Sequence, residues 1–190
     1  MLEEADEGLR EAQRRYLEGE ILTLTIGGAH GRPNPPIYLS GAEGDHNRVK
    51  LEISSLLKSL SRQYEAGLAS ESQHIENIQF VASTLTRKFE AILYGAHYRI
   101  GVAQKLLNLY LKYCWVLGWI KEPPHCPLDN EIISELRLGK PVGWTAIDSI
   151  EEYRGLVEAV RSMASRSGVS LARWELEVWS RRRAKTANRR

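Results

Sequence analysis

Sulfur is scarce in this chain: 190 residues hold two cysteines and two methionines. Cys114 and Cys126 are too few for a disulfide framework. With only His125 beside them they make neither a four-ligand zinc site nor a four-cysteine iron–sulfur site. No metal and no cofactor are therefore expected, and a reducing, cytoplasmic setting fits. Long apolar runs are also few. The best one, residues 100–120, is about long enough to span a bilayer, but Lys105 and Lys112 lie near its middle, and each would cost about 2.5–3.5 kcal/mol on insertion. A buried helix of a soluble protein is expected instead, with no membrane partner. The opening LEEADEGLREAQ lacks a basic stretch followed by an apolar one, so no export or import signal is expected. Internal repeats, heptads and low-complexity tracts are missing as well.

What is present reads as one ordinary globular unit. Charged residues at 26% and apolar residues at 43% lie far from disordered or collagenous compositions. A chain of this length buries a sizeable core, and a single domain over 1–190, acting as a monomer, is expected. The net charge of +2 conceals an asymmetry, because residues 1–20 carry seven acids whereas RRRAKTANRR at 181–190 is basic. Only that tail points to a polyanionic partner.

Periodicity predicts a mainly α architecture. Leu2, Ala5, Leu9, Ala12 and Tyr16 form a helical stripe that should end near Gly19. The following ILTLTIGG alternates like a short strand, and AHGRPNPP after it must be loop. At most one short strand or hairpin near the N-terminus is therefore expected. From Asp45 onward Val49, Ile53, Leu56 and Leu60 line a helix that fades before Gly67. Ser70 and Gln73 have capping-box spacing ahead of Ile75, Ile78, Ala82, Leu85, Phe89 and Ile92. Asp129 precedes NEIISEL, which should stop by Gly139, and Asp148 with Glu151 should cap a helix carrying Tyr153, Leu156, Val160 and Met163. Ser170 opens the last helix.

Chemistry concentrates on GVAQKLLNLYLKYCWVLGWIKEPPHCPLDNEII, residues 101–133. At 100° per residue, Gly101, Gln104, Lys105, Asn108 and Lys112 share an arc of about 100°, with apolar side chains around the rest. A polar stripe on a buried helix must face water, a partner or a cleft, because an unpaired buried ammonium is costly. Asp129 has two compatible roles. As an N-cap it accepts backbone N–H bonds, and the same surroundings keep its carboxylate ionised, as a group stabilising a developing cation must be. On the last helix, Leu171, Trp174, Val178 and Trp179 define the inward face, and Glu175 falls among them. Such an acid needs a partner, either a core cation or a bound base.

Gly101, Gln104-Lys105, the apolar helix after them and Pro127-Leu128-Asp129 together resemble the core of the helix-hairpin-helix DNA glycosylases. The nearest branch is the archaeal 8-oxoguanine glycosylases, through Lys112 two turns after Lys105 and the Glu175/Trp179 pair. The likeness covers residues 70–183, leaving 1–69 unassigned and 184–190 as a basic tail. It implies two interlocked helical lobes around a DNA- and base-binding cleft. Lys105 would be the nucleophile that attacks the sugar C1′ and Asp129 the essential carboxylate. The extruded base would be read by Glu175, Trp179, Lys112 and Asn108, and DNA would be held by Arg99, Gly101, Gln104, Arg181 and Arg182.

The hairpin is divergent, since Gly95 and Gly101 flank AHYRI where the family has a Gly-hydrophobic-Gly turn close before the lysine. The four cysteines of the cluster-bearing branch are absent. The implied activity is excision of a modified base from DNA, with an AP-lyase step, in base-excision repair or in defence against modified phage DNA. A non-catalytic nucleic-acid-binding protein is the alternative. A nuclease comes third, for want of a metal-binding acid cluster.

Overall fold

A computed structural model of the chain describes residues 2–31, 33–138 and 143–187. Among them are seven α-helices: α1 (Leu2–His30), α2 (His46–Glu65), α3 (Glu71–Phe89), α4 (Ile100–Val116), α5 (Asn130–Glu135), α6 (Ile150–Arg166) and α7 (Leu171–Ala187). The mainly helical expectation holds. The described residues contain no strand, only an isolated antiparallel bridge between Tyr38 and Leu93. None of the described helices is long and apolar enough to cross a membrane.

The segment ILTLTIGG is a correction. It continues α1 as helix to His30 instead of forming a strand. Its β-branched alternation is outweighed by burial: Ile21, Leu22, Thr25, Ile26 and Ala29 are all buried, and their spacing is that of one helical face. That face packs against α4, and irregular backbone begins only at Gly31. At Gly28 an added Cβ would lie 2.8 Å from Leu109 Cδ2, so the missing side chain brings α1 and α4 close together.

The other helices follow their patterns. α2 buries Val49, Ile53, Leu56 and Leu60, and α3 buries Ile75, Ile78, Ala82, Leu85 and Phe89. Ser70 Oγ caps α3 by accepting the Gln73 N–H at 3.2 Å. One cap is displaced by a residue from its expected place. Ser149 and Glu152, not Asp148 and Glu151, form the capping box of α6, while Asp148 lies 2.7 Å from His97 Nε2. Gly139, where the run after Asp129 should stop, and tail residues 188–190 lie outside the described residues.

α4 is the central helix, contacted by α1, α2, α3 and α6, with Val102, Ala103, Leu106, Leu107, Tyr110 and Leu111 buried. Cys114 on α4 and Cys126 in the following loop are free, buried thiols. Near the start of α4, Gly101 donates its N–H to Ile147 O at 2.8 Å. A Cβ there would sit 1.8 Å from Trp144 O, which no rotamer change can relieve because the obstacle is backbone. Gly101→Ala should therefore lower the unfolding free energy by about 1–3 kcal/mol, read as a reduced urea midpoint. An unchanged midpoint would mean that the 144–147 turn moves aside freely.

Candidate active site

Lys105 and Lys112 stand two turns apart on one side of α4, and each meets an acid from a later part of the chain. Lys105 Nζ donates to Asp129 Oδ2 at 2.6 Å. Asp129 Oδ1 simultaneously caps α5, accepting the Ile132 N–H at 3.0 Å. Lys112 Nζ lies 2.8 Å from both oxygens of Glu175 and donates to Oε1. Of the two partners expected for Glu175, the structure supplies the core cation, Lys112.

Both pairs open on one cleft of about 450 Å³, walled by Leu24 and Gly28 of α1, Leu109 and Tyr113 of α4, and Trp179 and Arg183 of α7. Lys105 is 6% exposed, so the ammonium reaches the cleft from an otherwise enclosed stem. Trp179 is 40% exposed, which corrects its placement on the inward face: the indole borders the cleft. The Lys112 ammonium lies 5.2 Å from the Trp179 ring centroid and the Arg183 guanidinium 5.4 Å from it.

The pKa values of the two acids are shifted in opposite directions. Burial alone would raise the Asp129 pKa, but Lys105 and the N–H bonds of the α5 terminus outweigh it and leave the carboxyl below its ordinary value. Glu175 goes the other way, because burial raises it more than Lys112 lowers it. The cleft thus contains two carboxyl groups, each paired with a lysine, whose affinities for a proton are shifted in opposite directions.

Several predicted contacts fall elsewhere. Gln104 and Asn108 are wholly buried and turn away from the cleft, so neither is placed to touch DNA or a base. Gln104 exchanges hydrogen bonds with the backbone of Leu128, donating from Nε2 at 2.7 Å and accepting the N–H at 3.1 Å. Asn108 bonds to His74 at 2.8 Å and to Tyr153 and Gln104 at 3.1 Å each. These amides satisfy the interior and fix the residue before Asp129 against α4.

Arg99, buried, donates to the carbonyls of Thr145, Pro35 and Pro36 at 2.6, 2.8 and 2.8 Å, clamping two loops instead of facing a phosphate. Gly101 is buried beneath the 144–147 turn, and its N–H is already bonded to Ile147. Arg181 is exposed on α7, with Nε 3.4 Å from Glu177 O, whereas Arg182 contacts Ser134 and Glu135 of α5.

The cleft also contains residues that the sequence pattern did not single out: Leu24, Gly28, Tyr113 and Arg183. A glycine retained inside a helix, where it costs about 1 kcal/mol relative to Ala, was the available signal for Gly28. Among the described residues, no group of three or more His, Cys, Asp or Glu side chains is arranged to hold a metal ion.

The amide network that backs the site has a pH consequence. Burial, reinforced by the neighbouring His125, pushes His74 down to about 3, and burial with Arg161 pushes His125 down to about 4. Both stay neutral in the folded protein but take up protons near pH 6.5 once unfolded. Their contribution to stability is therefore full above about pH 6.5 and is lost as the pH falls from there to about 4 for His125 and about 3 for His74. Each should steepen the loss by up to about 1.4 kcal/mol per pH unit. Urea titrations at pH 7, 6 and 5 should show the midpoint falling, and a flat profile would contradict the buried neutral pair.

Comparison with known proteins gives no match: no family model matches the chain, nor does any curated protein or solved structure.

Proposed function

We propose that this chain is a DNA glycosylase that removes a modified base and carries an AP-lyase step. The observation that carries the reading is the Lys105–Asp129 pair, 2.6 Å apart, set into a cleft that also presents an indole. A lysine amine as nucleophile, a carboxylate kept ionised beside it and an aromatic face for a planar ligand are the parts such chemistry needs. In this reading the helices act as two lobes around the cleft with a divergent hairpin between α3 and α4. The working unit is a monomer on duplex DNA.

The base is flipped out of the stack, at a cost of a few kcal/mol, and stacks on Trp179 while the Glu175 carboxyl group meets its polar edge. The C1′–N bond to the base breaks, and its electron pair leaves with the base, which takes up a proton. Lys105 Nζ, giving up a proton, then forms a bond to the sugar C1′. Asp129 stabilises the positive charge that builds on the sugar between these events. Opening of the sugar ring, with the ring oxygen taking up a proton, converts the adduct to an imine between C1′ and Nζ. A C2′ proton is then lost to a base, a C2′=C3′ double bond forms, and the C3′–O bond breaks to release the 3′ phosphate and cut the strand. With Gln104, Asn108, Arg99 and Gly101 committed internally, phosphate binding falls to exposed cations such as Arg181 and Arg183.

The test is to incubate the protein, without metal, with duplexes carrying oxidised, deaminated and hypermodified bases, and with phage genomic DNA, and then to reduce with borohydride. A trapped protein–DNA adduct on one substrate supports the proposal and names the base. Duplex binding with a steep salt dependence but neither adduct nor abasic site on any substrate would favour the non-catalytic binding protein.

A further inference from the structure

A second concavity lies between α1 and α2, larger than the cleft at about 680 Å³ and within the range of ligand pockets. Its two walls are built by the same spacing. On α2, His46, Lys50, Ser54 and Lys58 recur every fourth residue and so share one face, a polar row with a step of about 6 Å. On α1, Gly19, Thr23 and Gly27 also recur every fourth residue, a row of small residues beside Leu22 and Ile26.

Charge is distributed unevenly along this groove. At one end Lys58 is neutralised by Glu18 at 2.7 Å. At the other end, His30, Tyr38, His46 and Lys50 come together, and among the described residues no carboxylate lines the groove. The acid nearest in sequence, Asp45, is engaged by Arg48 at 2.7 Å. The Tyr38 hydroxyl lies 3.1 Å from His30 Nδ1, and the Tyr38 ring packs on His46 with centroids 4.5 Å apart. Burial pushes His30 down to about 4, and the neighbouring His46 and Lys50 add to that effect.

The glycines add a further argument. A Cβ built on Gly19 or Gly27 would meet nothing within 4 Å, so packing does not require either of them. Each nevertheless costs α1 about 1 kcal/mol relative to Ala. At Gly27, open space near the cationic end is what the helix gains from lacking a side chain.

We infer that this groove is a second binding site, for a phosphate-bearing ligand of about nucleotide size, its phosphate held by Lys50 and His46 and its body lying against Leu22, Ile26 and Gly27. It is separate from the Lys105 cleft and does not depend on the chemistry proposed there. A free phosphomonoester and a phosphate within a DNA strand offer the same recognition chemistry.

The experiment titrates the full chain by calorimetry with inorganic phosphate, with thymidine 5′-monophosphate and with a short unmodified single strand. Lys50→Glu and Gly27→Leu are compared with the parent, and Lys105→Gln serves as a control for the other cleft. Lys50 is exposed and the Gly27 position has room, so both variants should fold, as thermal melts will verify. The expected result is one site whose affinity falls about tenfold or more with Lys50→Glu and with Gly27→Leu, unchanged by Lys105→Gln. Response to the mononucleotide identifies a free ligand, and the same response seen with the strand alone identifies a strand phosphate. The proposal is overturned if no probe binds, or if binding is indifferent to both substitutions or is lost with Lys105→Gln.

Discussion

Lys105→Gln should abolish the borohydride-trapped adduct completely while leaving duplex binding close to that of the parent. The glutamine keeps much of the stem's packing and can still donate to Asp129, but it has no amine to form an imine. Duplex binding should lose at most about one counterion from its salt slope. Asp129 is left with its Ile132 N–H bond and partial access to water, its side chain being 24% exposed, so folding should survive at a cost of about 1–3 kcal/mol. Mass spectrometry of the parent adduct should place the modification on residue 105. An adduct that persists in the variant would move the nucleophile to another amine, Lys112 first, whose Nζ faces the same cleft.

Asp129→Asn should have the second largest effect, lowering single-turnover excision about a thousandfold. Asn is as good an N-cap as Asp, so the α5 terminus keeps its hydrogen bond. What disappears is the negative charge beside Lys105 and beside the sugar. The stability cost should be about 1–3 kcal/mol, because the ammonium loses its partner at the edge of a buried region. A variant that folds less well but excises at the parent rate in its folded fraction would reduce Asp129 to a cap.

The fold was most legible where burial and periodicity agree. The stripes Val49-Ile53-Leu56-Leu60 and Ile75-Ile78-Ala82-Leu85 became buried helix faces because three- and four-residue spacing admits no other regular structure. ILTLTIGG misled because it satisfies two periods at once. Leu22, Leu24 and Ile26 alternate, yet Ile21, Leu22, Thr25, Ile26 and Ala29 also form a helical face, and only α4 packed alongside decides between them.

The site divided in a similar way. The polar stripe of α4 was visible, but an arc of about 100° is wide enough to serve two neighbourhoods. Its Gln104–Asn108 side meets His74, Tyr153 and the Leu128 backbone, and its Lys105–Lys112 side meets Asp129 and Glu175. Nothing in the spacing separates these halves, since the partners lie 24 to 63 residues away along the chain. Gly101 was legible as special, but the reason is steric, set by a carbonyl 43 positions later, rather than a phosphate contact.

The two free thiols make the interior selective about which nucleophile an electrophile can meet. Cys126 is 1% exposed and close enough to Glu175, Lys112, Asp129 and Lys105 to feel their charges, yet burial holds its pKa well above the ordinary value. Burial pushes Cys114, on α4 itself, up to about 12. A sulfur kept protonated and enclosed does not add to an aldehyde or accept an alkyl group, because the thiolate is the reactive form. An aldehydic sugar generated beside α4 would thus encounter amines first, and an intermediate lodged on nitrogen would not be diverted to sulfur.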